Sequence, residues 1–485
     1  MKQSERPLVE RLIKHATKIP NSFHVPGHKN GEVFGKQSKS LFSSILTIDQ
    51  TEITGLDDLH NAEGVIAEAE KLTAELYGVQ STHFLVAGST VGNLATSLAF
   101  LKRNDKVIVQ RNSHQSVFHG IELAGADPIF IEPEKDPISQ LALGVSIQTL
   151  QEAITCYPEA KAVFITQPSY EGYAQSLVPH VKAAHGANMV ICVDEAHGAH
   201  LMTANTNCWP ESAVAAGADV VIQSAHKTLP AMTMASWLHI NSTTITTEYL
   251  TYYLRLLQSS SPSYPLMASL DLARAYVATI SRDDWKQKAL KMNEFKKAFK
   301  TSHDWFCASQ TISQFTQDPL KVAFITPLQG LPYLWQRKME ENNVYPELVS
   351  PHHLLLTLPL TWDSNKTEKW VPFFQTIFQR SLTEKGVFKR RIPLQENGRK
   401  KSVSAQRLTF EEMAKATQTV SPWQKSEGAI AAETITPYPP GIPLIIKGEQ
   451  ITHNHLERLA DLVEMKAAFQ TGKHWVEKGI KIFSI

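Results

Sequence analysis

A lysine directly after a predicted buried strand is the residue in this sequence best suited to covalent chemistry. Lys227 lies in the run SAHKT at 224–228, which follows the apolar segment 219–224. Ligands of open α/β sheets bind at the carboxyl ends of the strands. Burial there would favour the neutral, nucleophilic amine, which can form a Schiff base with a carbonyl. Ser224 and His226 flank it with a hydroxyl and an imidazole that suit a phosphate. A solvated loop lysine is the ordinary alternative for such a run.

A carboxylate at the end of another apolar segment suggests what the lysine would hold. Asp194 ends the predicted strand 189–194 and begins the run DEAHGAH. Pyridoxal phosphate (PLP) needs such a carboxylate, which keeps the pyridine nitrogen protonated so that the ring accepts electrons from a broken bond at Cα. The run also allows a zinc site from Asp194, His197 and His200, because the two histidines would share one face of a helix. The zinc alternative leaves Lys227 unexplained.

A glycine turn after the predicted strand 83–86 is suited to an anion. The run AGSTVGN at 87–93 places hydroxyl residues at the start of a predicted helix. Backbone N–H groups and side-chain donors converge on an anion at such a helix start. Ser89 and Thr90 are therefore expected to be phosphate ligands. An ordinary helix cap is the alternative.

An imidazole follows the next predicted strand, at 106–109. His114 lies in the run RNSHQS and can stack on a cofactor ring, although a structural histidine is the alternative. A phosphate turn, a stacking residue, a carboxylate and a lysine thus follow one another on successive strand–helix units. This order fits the large domain of the PLP-dependent aspartate-aminotransferase superfamily.

The elements that must position these residues alternate along the chain. Predicted strands lie at 83–86, 106–109, 162–166, 189–194, 219–224 and 236–240. They are mostly apolar rather than alternating, as is typical of strands buried on both faces, and helical segments separate them. The segment 62–77, which Gly78 ends, is one of these helices. The pattern predicts an α/β fold with a mostly parallel sheet.

The length of 485 residues suits two or three domains. We expect an N-terminal segment at 1–60, a PLP-binding large domain at 61–290, a small α+β domain at 291–385, and a linker with a C-terminal domain at 386–485. The small domain should contain a helix at 330–343 and a strand at 353–358. The basic stretch 385–404 lacks interleaved aromatic residues, so a solvated linker is favoured over a nucleic-acid patch. Thr409 and Glu412 fit a capping box.

Composition excludes several classes of partner. The formal net charge is +1, with 42% apolar and 20% charged residues, so neither nucleic acid nor an anionic membrane is expected to bind. No apolar stretch is long enough to span a membrane, and the N-terminus lacks a signal-peptide core, which predicts a cytoplasmic protein. The four cysteines are far apart, which predicts buried free thiols and no metal site.

Taken together, the motifs resemble those of the bacterial ornithine/lysine/arginine decarboxylases with the aminotransferase fold. The resemblance extends over nearly the whole chain. It is carried by the runs FHVPGHKNG (23–31), DQTEITGLDDLH (49–60), GST (88–90), RNSH (111–114), DEAHGAH (194–200), QSAHKT (223–228), SSPSY (260–264) and PYPPGIP (437–443).

The resemblance implies a role for each candidate residue in a fold-type-I PLP enzyme. PLP would form a Schiff base with Lys227, Asp194 would pair with the pyridinium nitrogen, and His197 would lie close to the ring. His114 would stack on the ring. The implied phosphate ligands are Ser89, Thr90, Ser224 and His226.

The resemblance also implies an activity and an assembly. The expected reaction is decarboxylation of arginine, lysine or ornithine to an amine and CO2. Another fold-type-I reaction, such as aminotransfer, and a weakly active PLP-binding protein remain alternatives. The family works as a homodimer or larger homo-oligomer with active sites between subunits, where the stretch 259–261 would reach the partner's phosphate. The chain resembles the short form, without a receiver-like domain.

Departures from the family pattern leave the substrate open. Gln115 and Lys447 stand where the family usually has lysine and proline, respectively, and Pro265 replaces an aliphatic residue. The C-terminal tail is expected to have little core of its own and to dock on the large domain. Its acidic residues Glu433 and Glu449 are expected to help select a cationic substrate side chain.

Overall fold

The protein is described here from a computed structural model that covers residues 2–201, 208–242, 245, 247–299, 301–308, 311–384, 402–438, 441–465, 467–470 and 472–484. Its contacts divide the chain into two compact units. The first comprises Met1–Ala99, Ile191–Asn205 and Glu211–Asp284, and the second comprises Phe100–Val190, Thr206–Pro210 and Trp285–Ile485. The domain limits proposed at 60, 290 and 385 stay a prediction.

The first unit is built from helices and a run of hydrogen-bonded strands. Its strands, in spatial order, are Ser81–Leu85, Ser236–Ile240, Val220–Gln223 and Val190–Asp194. Its helices are Pro7–Ala16, Lys36–Leu46, Val65–Tyr77, Gly88–Phe100, Ala225–Thr228, Thr247–Leu257 and Tyr264–Ala278, with a 3₁₀ turn at Leu59–Asn61. The helix Val65–Tyr77 ends as predicted, because Gly78 adopts the left-handed conformation with φ of 66°.

Strand direction in the first unit follows from the connections. Val190–Asp194 pairs in parallel with Val220–Gln223, so the carboxyl ends of these two strands lie at the same edge. Ser236–Ile240 is antiparallel to Val220–Gln223, because only the short helix Ala225–Thr228 lies between them and the chain turns back. The shared edge is the structural basis of the candidate site.

The second unit contains more elements. Its strands are Lys106–Gln110, Asp127–Ile131, Ala162–Thr166, Tyr173–Ala174, Phe306–Cys307, Thr311–Ile312, Phe315–Gln317, Lys321–Ile325, Leu348–Val349, His353–Thr357, Val403–Ala405, Thr417–Ser421, Ile430–Ala431 and Ile480–Ser484. Its helices are Gln115–Ala124, Ile147–Cys156, Val178–Gly186, Arg282–Lys297, Leu331–Glu340, Ser364–Thr383, Phe410–Lys415, His453–Glu464 and His474–Lys478, with a 3₁₀ turn at Trp423–Lys425.

Most pairs among the strands Lys106–Gln110, Asp127–Ile131, Ala162–Thr166 and Val403–Ala405 of the second unit are also parallel. Lys106–Gln110 pairs in parallel with both Asp127–Ile131 and Ala162–Thr166. Val403–Ala405 adds to Asp127–Ile131 in the antiparallel direction. The predicted mixed α/β fold with a mostly parallel sheet is therefore confirmed.

Most predicted elements form with small shifts in their limits. The strand predicted at 83–86 is Ser81–Leu85, and the helix predicted at 330–343 is Leu331–Glu340. The capping box of Thr409 and Glu412 is present, with each residue's side chain accepting from the other's backbone N–H. Among the described residues, no helix has both the length and the apolar character needed to cross a membrane.

Three expectations about the chain need correction. The linker was predicted at 385–404, and its residues 385–401 lie outside the described residues. The predicted C-terminal end of the linker is wrong, because Val403–Ala405 forms a strand. The cysteines are free, as predicted, but only Cys192 is buried. Cys208 and Cys307 are half-buried, and Cys156 is exposed. The C-terminal region has a core of its own, in which Trp475, Ile445 and Ile480 are fully buried.

Candidate active site

Asp194 is held at the end of its strand by two hydrogen-bond donors. Its side chain is 4% exposed. Oδ2 accepts a hydrogen bond from Asn93 Nδ2 at 3.0 Å, and Oδ1 accepts one from the backbone N–H of Ala196 at 3.2 Å. Two donors from different parts of the chain therefore fix the orientation of the carboxyl group.

Asn93 is a site residue that the sequence reasoning missed. It is 1% exposed and lies on the helix Gly88–Phe100, one turn beyond Ser89. Residues four apart share a helix face, so the spacing of Ser89 and Asn93 was the available signal. The helix that begins at the glycine turn therefore also contacts the strand-end carboxylate.

Lys227 lies beside His197, from the loop after the neighbouring strand. Lys227 Nζ and His197 Nε2 are 3.2 Å apart. The expectation that Lys227 is buried is wrong for this single chain, because Lys227 is exposed whereas Ser224 and Ala225 before it are buried. The short helix Ala225–Thr228 carries the lysine out from the strand end to the surface.

The hydroxyls predicted to bind a phosphate come together at the same edge. Ser224 Oγ donates to Ser89 Oγ at 2.9 Å. Thr90 follows Ser89 on the first turn of its helix and is exposed. Helix N-termini attract anions because their first N–H groups lack intrahelical partners.

His226 is fixed through one of its ring nitrogens. Its Nδ1 lies 3.1 Å from the carbonyl oxygen of Ala235, so Nδ1 carries a proton and donates it. Burial lowers the pKa of His226, the hydrogen bond to Ala235 opposes that effect, and the charge of Lys227 adds to it.

Behind Asp194, the next carboxyl group belongs to a buried polar network. Glu195 Oε1 accepts from the backbone N–H of Ala213 at 2.7 Å, and Oε2 accepts from Gln223 Nε2 at 2.7 Å. Gln223 Oε1 in turn lies 3.0 Å from His239 Nε2. Burial raises the pKa of Glu195 to about 8, so the group is protonated at neutral pH. The network ties the loop after Asp194 to the adjacent strand.

The zinc alternative loses its geometric basis. Residues 195–200 form turns rather than a helix, so His197 and His200 do not share a helix face. Among the described residues, no group of three or more His, Cys, Asp or Glu side chains is arranged to hold a metal ion.

His114 lies in the second unit, where it caps the helix Gln115–Ala124. Its Nδ1 accepts from the backbone N–H of Ser116 at 3.2 Å and lies 2.8 Å from Ser116 Oγ. The C-terminal region reaches this turn, because the backbone N–H of Gln115 donates to Gly441 O at 3.1 Å. The C-terminal tail therefore contacts the start of this helix.

A buried ion pair reinforces this docking and was also missed from the sequence. The guanidinium of Arg111 bonds both carboxylate oxygens of Glu449, at 3.0 Å and 2.7 Å. It also donates to the backbone oxygens of Pro443 and Leu444. Burial alone would raise the pKa of Glu449, but Arg111 together with His455 and the N–H of Ile446 outweighs it, and the pKa lies below its ordinary value. Glu449 is therefore engaged by Arg111, which opposes its expected role in selecting a cationic substrate.

The residues of the first unit have the chemistry that PLP requires. A lysine amine, a buried carboxyl group oriented by two donors, and hydroxyls at a helix start occur in one compact unit. Together with the mixed α/β fold, this set defines the class of fold-type-I PLP enzymes.

Comparison with known proteins identifies the family within that class. The "Orn/Lys/Arg decarboxylase, major domain" family matches residues 6–370, and the "Orn/Lys/Arg decarboxylase, C-terminal domain" family matches residues 395–472. The chain belongs to the Orn/Lys/Arg decarboxylase family. It is an amino-acid decarboxylase whose cofactor is PLP.

Individual relatives and one solved structure are similar to most of the chain. The chain is 39% identical to the "Uncharacterized protein YaaO" of Bacillus subtilis (strain 168), over 98% of both chains. It is 31% identical to the arginine decarboxylase of the same strain, over 94% of this chain and 93% of the relative. The lysine decarboxylase LdcF of Francisella novicida has a similar structure, with a TM-score of 0.82, 18% identity, and coverage of 99% of this chain and 81% of that chain.

Proposed function

We propose that this chain removes the α-carboxylate of a basic amino acid at the site around Lys227 and releases the amine and CO2. The observation that carries the proposal is the contact of 3.2 Å between Lys227 Nζ and His197 Nε2, in the unit that also holds the buried carboxylate of Asp194. When bound, PLP supplies an electron sink for the broken bond at Cα.

The side chains divide the work of binding and charge control. Lys227 would provide the amine that attaches the cofactor. Asp194 would keep a proton on the pyridine nitrogen, and Asn93 and the N–H of Ala196 orient its carboxyl group. His197 lies against the lysine amine, where it orders that group.

The remaining candidates hold the two ends of the cofactor. We propose that His114 stacks on the ring. The hydroxyls of Ser89 and Ser224, already 2.9 Å apart, converge on the phosphate together with Thr90 and His226. These residues would hold the cofactor in one position, so that the substrate attached to it has a defined orientation.

Arginine is the substrate that we propose first. The arginine decarboxylase of Bacillus subtilis is 31% identical to this chain, whereas lysine decarboxylase LdcA of Pseudomonas aeruginosa is 23% identical. Agmatine would then be the product. We also propose that the enzyme acts in polyamine biosynthesis and that it does so in the cytoplasm.

We also propose that the active form is a homodimer or a larger homo-oligomer. Large apolar side chains near the N-terminus face solvent in the single chain, among them Ile19 at 87%, Phe23 at 96% and Leu41 at 77% exposure. Exposed apolar surface of this kind marks interaction sites. Sedimentation equilibrium tests the assembly, and a monomer at micromolar concentration with full activity would contradict it.

The experiment for the activity is a product assay on purified holoenzyme. Arginine, lysine and ornithine are supplied separately, and CO2 and the product amine are measured against K227A as the blank. We expect CO2 and amine in equal amounts, with arginine turned over fastest. Formation of a keto acid instead would assign aminotransfer. Absence of turnover with every substrate, despite bound PLP, would support a weakly active PLP-binding protein.

A further inference from the structure

We infer that the C-terminal segment 441–449 sets the orientation of the His114 imidazole, with Gly441 as the contact and the Arg111–Glu449 pair as the anchor. The inference rests on the proposed function, in which His114 borders the cofactor. It makes Gly441, Arg111 and Glu449 positioning residues, since they act through His114.

The anchor is the buried guanidinium of Arg111, which donates its hydrogen bonds to the C-terminal segment. The Arg111 side chain is 9% exposed and that of Glu449 is 18% exposed. Besides its two bonds to Glu449, the guanidinium donates to the carbonyl oxygens of Pro443 and Leu444 at 2.9 Å and 3.0 Å. A bidentate guanidinium–carboxylate pair fixes both distance and angle. The segment is therefore held in one place relative to the turn at 111–116.

Glu449 also shapes its own loop. Its Oε2 accepts from the backbone N–H of Ile446 at 3.1 Å, in addition to the bond from Arg111. A single carboxylate thus joins the loop between 443 and 449 to the strand end that precedes His114. Removal of its charge would leave the buried guanidinium without a counter-charge.

Gly441 brings the backbone of this segment against the imidazole itself. A Cβ placed on Gly441 would lie 3.1 Å from His114 Nε2 and 3.2 Å from Cδ2. The opposite edge of the ring faces Ser116, whose Oγ lies 2.8 Å from Nδ1. The ring therefore has one edge against its own helix and the other against the C-terminal segment. Any side chain at 441 would push the imidazole by a few tenths of an ångström or more.

Replacement of Gly441 by alanine tests the contact, and Gly428 offers a matched control. Gly441 has φ of 88° and Gly428 has φ of 83°, so G441A and G428A impose similar backbone strain. A Cβ on Gly428 would meet no atom within 4 Å. The two variants thus differ in the contact with His114 while sharing the strain.

The readouts are the absorption band of bound PLP, the affinity for PLP, and kcat and KM measured separately on full-length holoenzyme. We expect G441A to shift the absorption band and lower kcat by at least tenfold with KM changed less than threefold. G428A should leave kcat within twofold of the wild type. Equal effects of the two variants would overturn the inference, because strain alone would explain them.

A double-mutant cycle with H114A shows whether the effect passes through the imidazole. We expect G441A to cost little further activity in the H114A background, since the ring that it displaces is gone. If H114A itself changes neither the absorption band nor kcat, the proposed role of His114 fails. If H114A matters but G441A costs as much in its background as in the wild type, that role survives and the positioning inference fails.

A second pair of variants covers the case in which G441A does not yield folded holoenzyme. E449Q weakens the anchor. E122Q is the control, because it removes another ion pair of the same segment, between Lys447 and Glu122 at 2.7 Å. The side chains of that pair are 29% and 41% exposed. We expect E449Q to shift the absorption band and lower kcat several-fold, with E122Q within twofold of the wild type. An unshifted band and unchanged kcat in E449Q would overturn the inference.

Discussion

The amine of Lys227 and Nε2 of His197 are 3.2 Å apart, although the two residues follow different strands of the sheet. Val190–Asp194 and Val220–Gln223 run in parallel, so the loops after them leave from one edge. A hydrogen bond between an amine and an imidazole requires one of them to accept. Either the unprotonated Nε2 accepts from the amine, with the ring proton on Nδ1, or the neutral amine accepts from Nε2–H.

Lys227 is expected to be the lysine that carries PLP. Treatment of the holoenzyme with borohydride should fix the cofactor to the protein, and peptide mapping should find it on Lys227. K227A should lose the trapped adduct and all turnover, since the nucleophilic amine is absent. K182A, which removes an exposed lysine on the helix Val178–Gly186, serves as the control and should label normally. A label on another lysine of the wild type would refute the assignment.

Asp194 is expected to control the electron sink rather than the affinity for PLP. D194N keeps the size of the side chain but removes the charge that holds a proton on the pyridine nitrogen. We expect kcat to fall by at least about two orders of magnitude, roughly 3 kcal/mol in activation free energy, with PLP still bound. Steady-state kinetics and the cofactor absorbance report the two quantities separately. Near-normal turnover in D194N would show that another group controls the ring.

The buried strands and the residues at their ends could be predicted from the sequence, because both depend on the pattern of apolar and polar residues over a few positions. Apolar runs such as Ala162–Thr166 and Ser236–Ile240 were predicted with the limits that the structure has. Lys227 and Asp194 could be found because a polar residue after such a run must lie at a sheet edge. The position of His197 beside Lys227 follows from the parallel pairing of the two strands.

The residues that were missed depend on contacts between distant parts of the chain. Arg111 and Glu449 are separated by 338 positions, and no local pattern indicates that they pair. Gly441 was seen as part of a proline-rich run, but its contact with His114 arises only when the C-terminal region docks. The error over a weak C-terminal core has the same origin, because its buried residues, such as Trp423 and Trp475, are widely spaced in the sequence.

His226 is expected to take up a proton when it binds the phosphate. Because its Nδ1 donates to Ala235 O, its Nε2 can donate to a phosphate only if the ring is protonated. In the protein without PLP, burial lowers the pKa of His226 below its ordinary value of 6.5. A bound phosphate dianion must therefore raise this pKa for the ring to be protonated. The affinity of the wild type for PLP should therefore fall as the pH rises from 6 to 8.

The variant H226Q can donate to the phosphate at every pH, so its affinity should depend less steeply on pH than that of the wild type. Calorimetry in two buffers of different ionisation enthalpy measures the proton uptake, and H185Q, at an exposed site on the helix Val178–Gly186, is the matched control. Parallel pH profiles for the wild type and H226Q would show that His226 does not bind the phosphate in the protonated form.

Lys296 is expected to make the stability of the second unit depend on pH. Its side chain is 3% exposed, and its amine donates to Gln317 Oε1 and to the carbonyl oxygen of Asp318, both at 3.0 Å. Burial lowers its pKa to about 8, from 10.5. Below pH 8 the amine is charged in both the folded and the unfolded chain, and the cost of burying the cation is constant.

Between pH 8 and 10.5 the unfolded chain binds the proton that the folded chain has released, so unfolding becomes less favourable as the pH rises. The wild type should therefore gain stability relative to K296M by up to about 3 kcal/mol across this interval, at about 1.4 kcal/mol per pH unit. Thermal midpoints measured across the interval test this. K297M, at the exposed neighbouring position, should keep a constant difference from the wild type. A pH-independent difference between wild type and K296M would mean that the folded chain keeps Lys296 charged, stabilised by its two carbonyl acceptors.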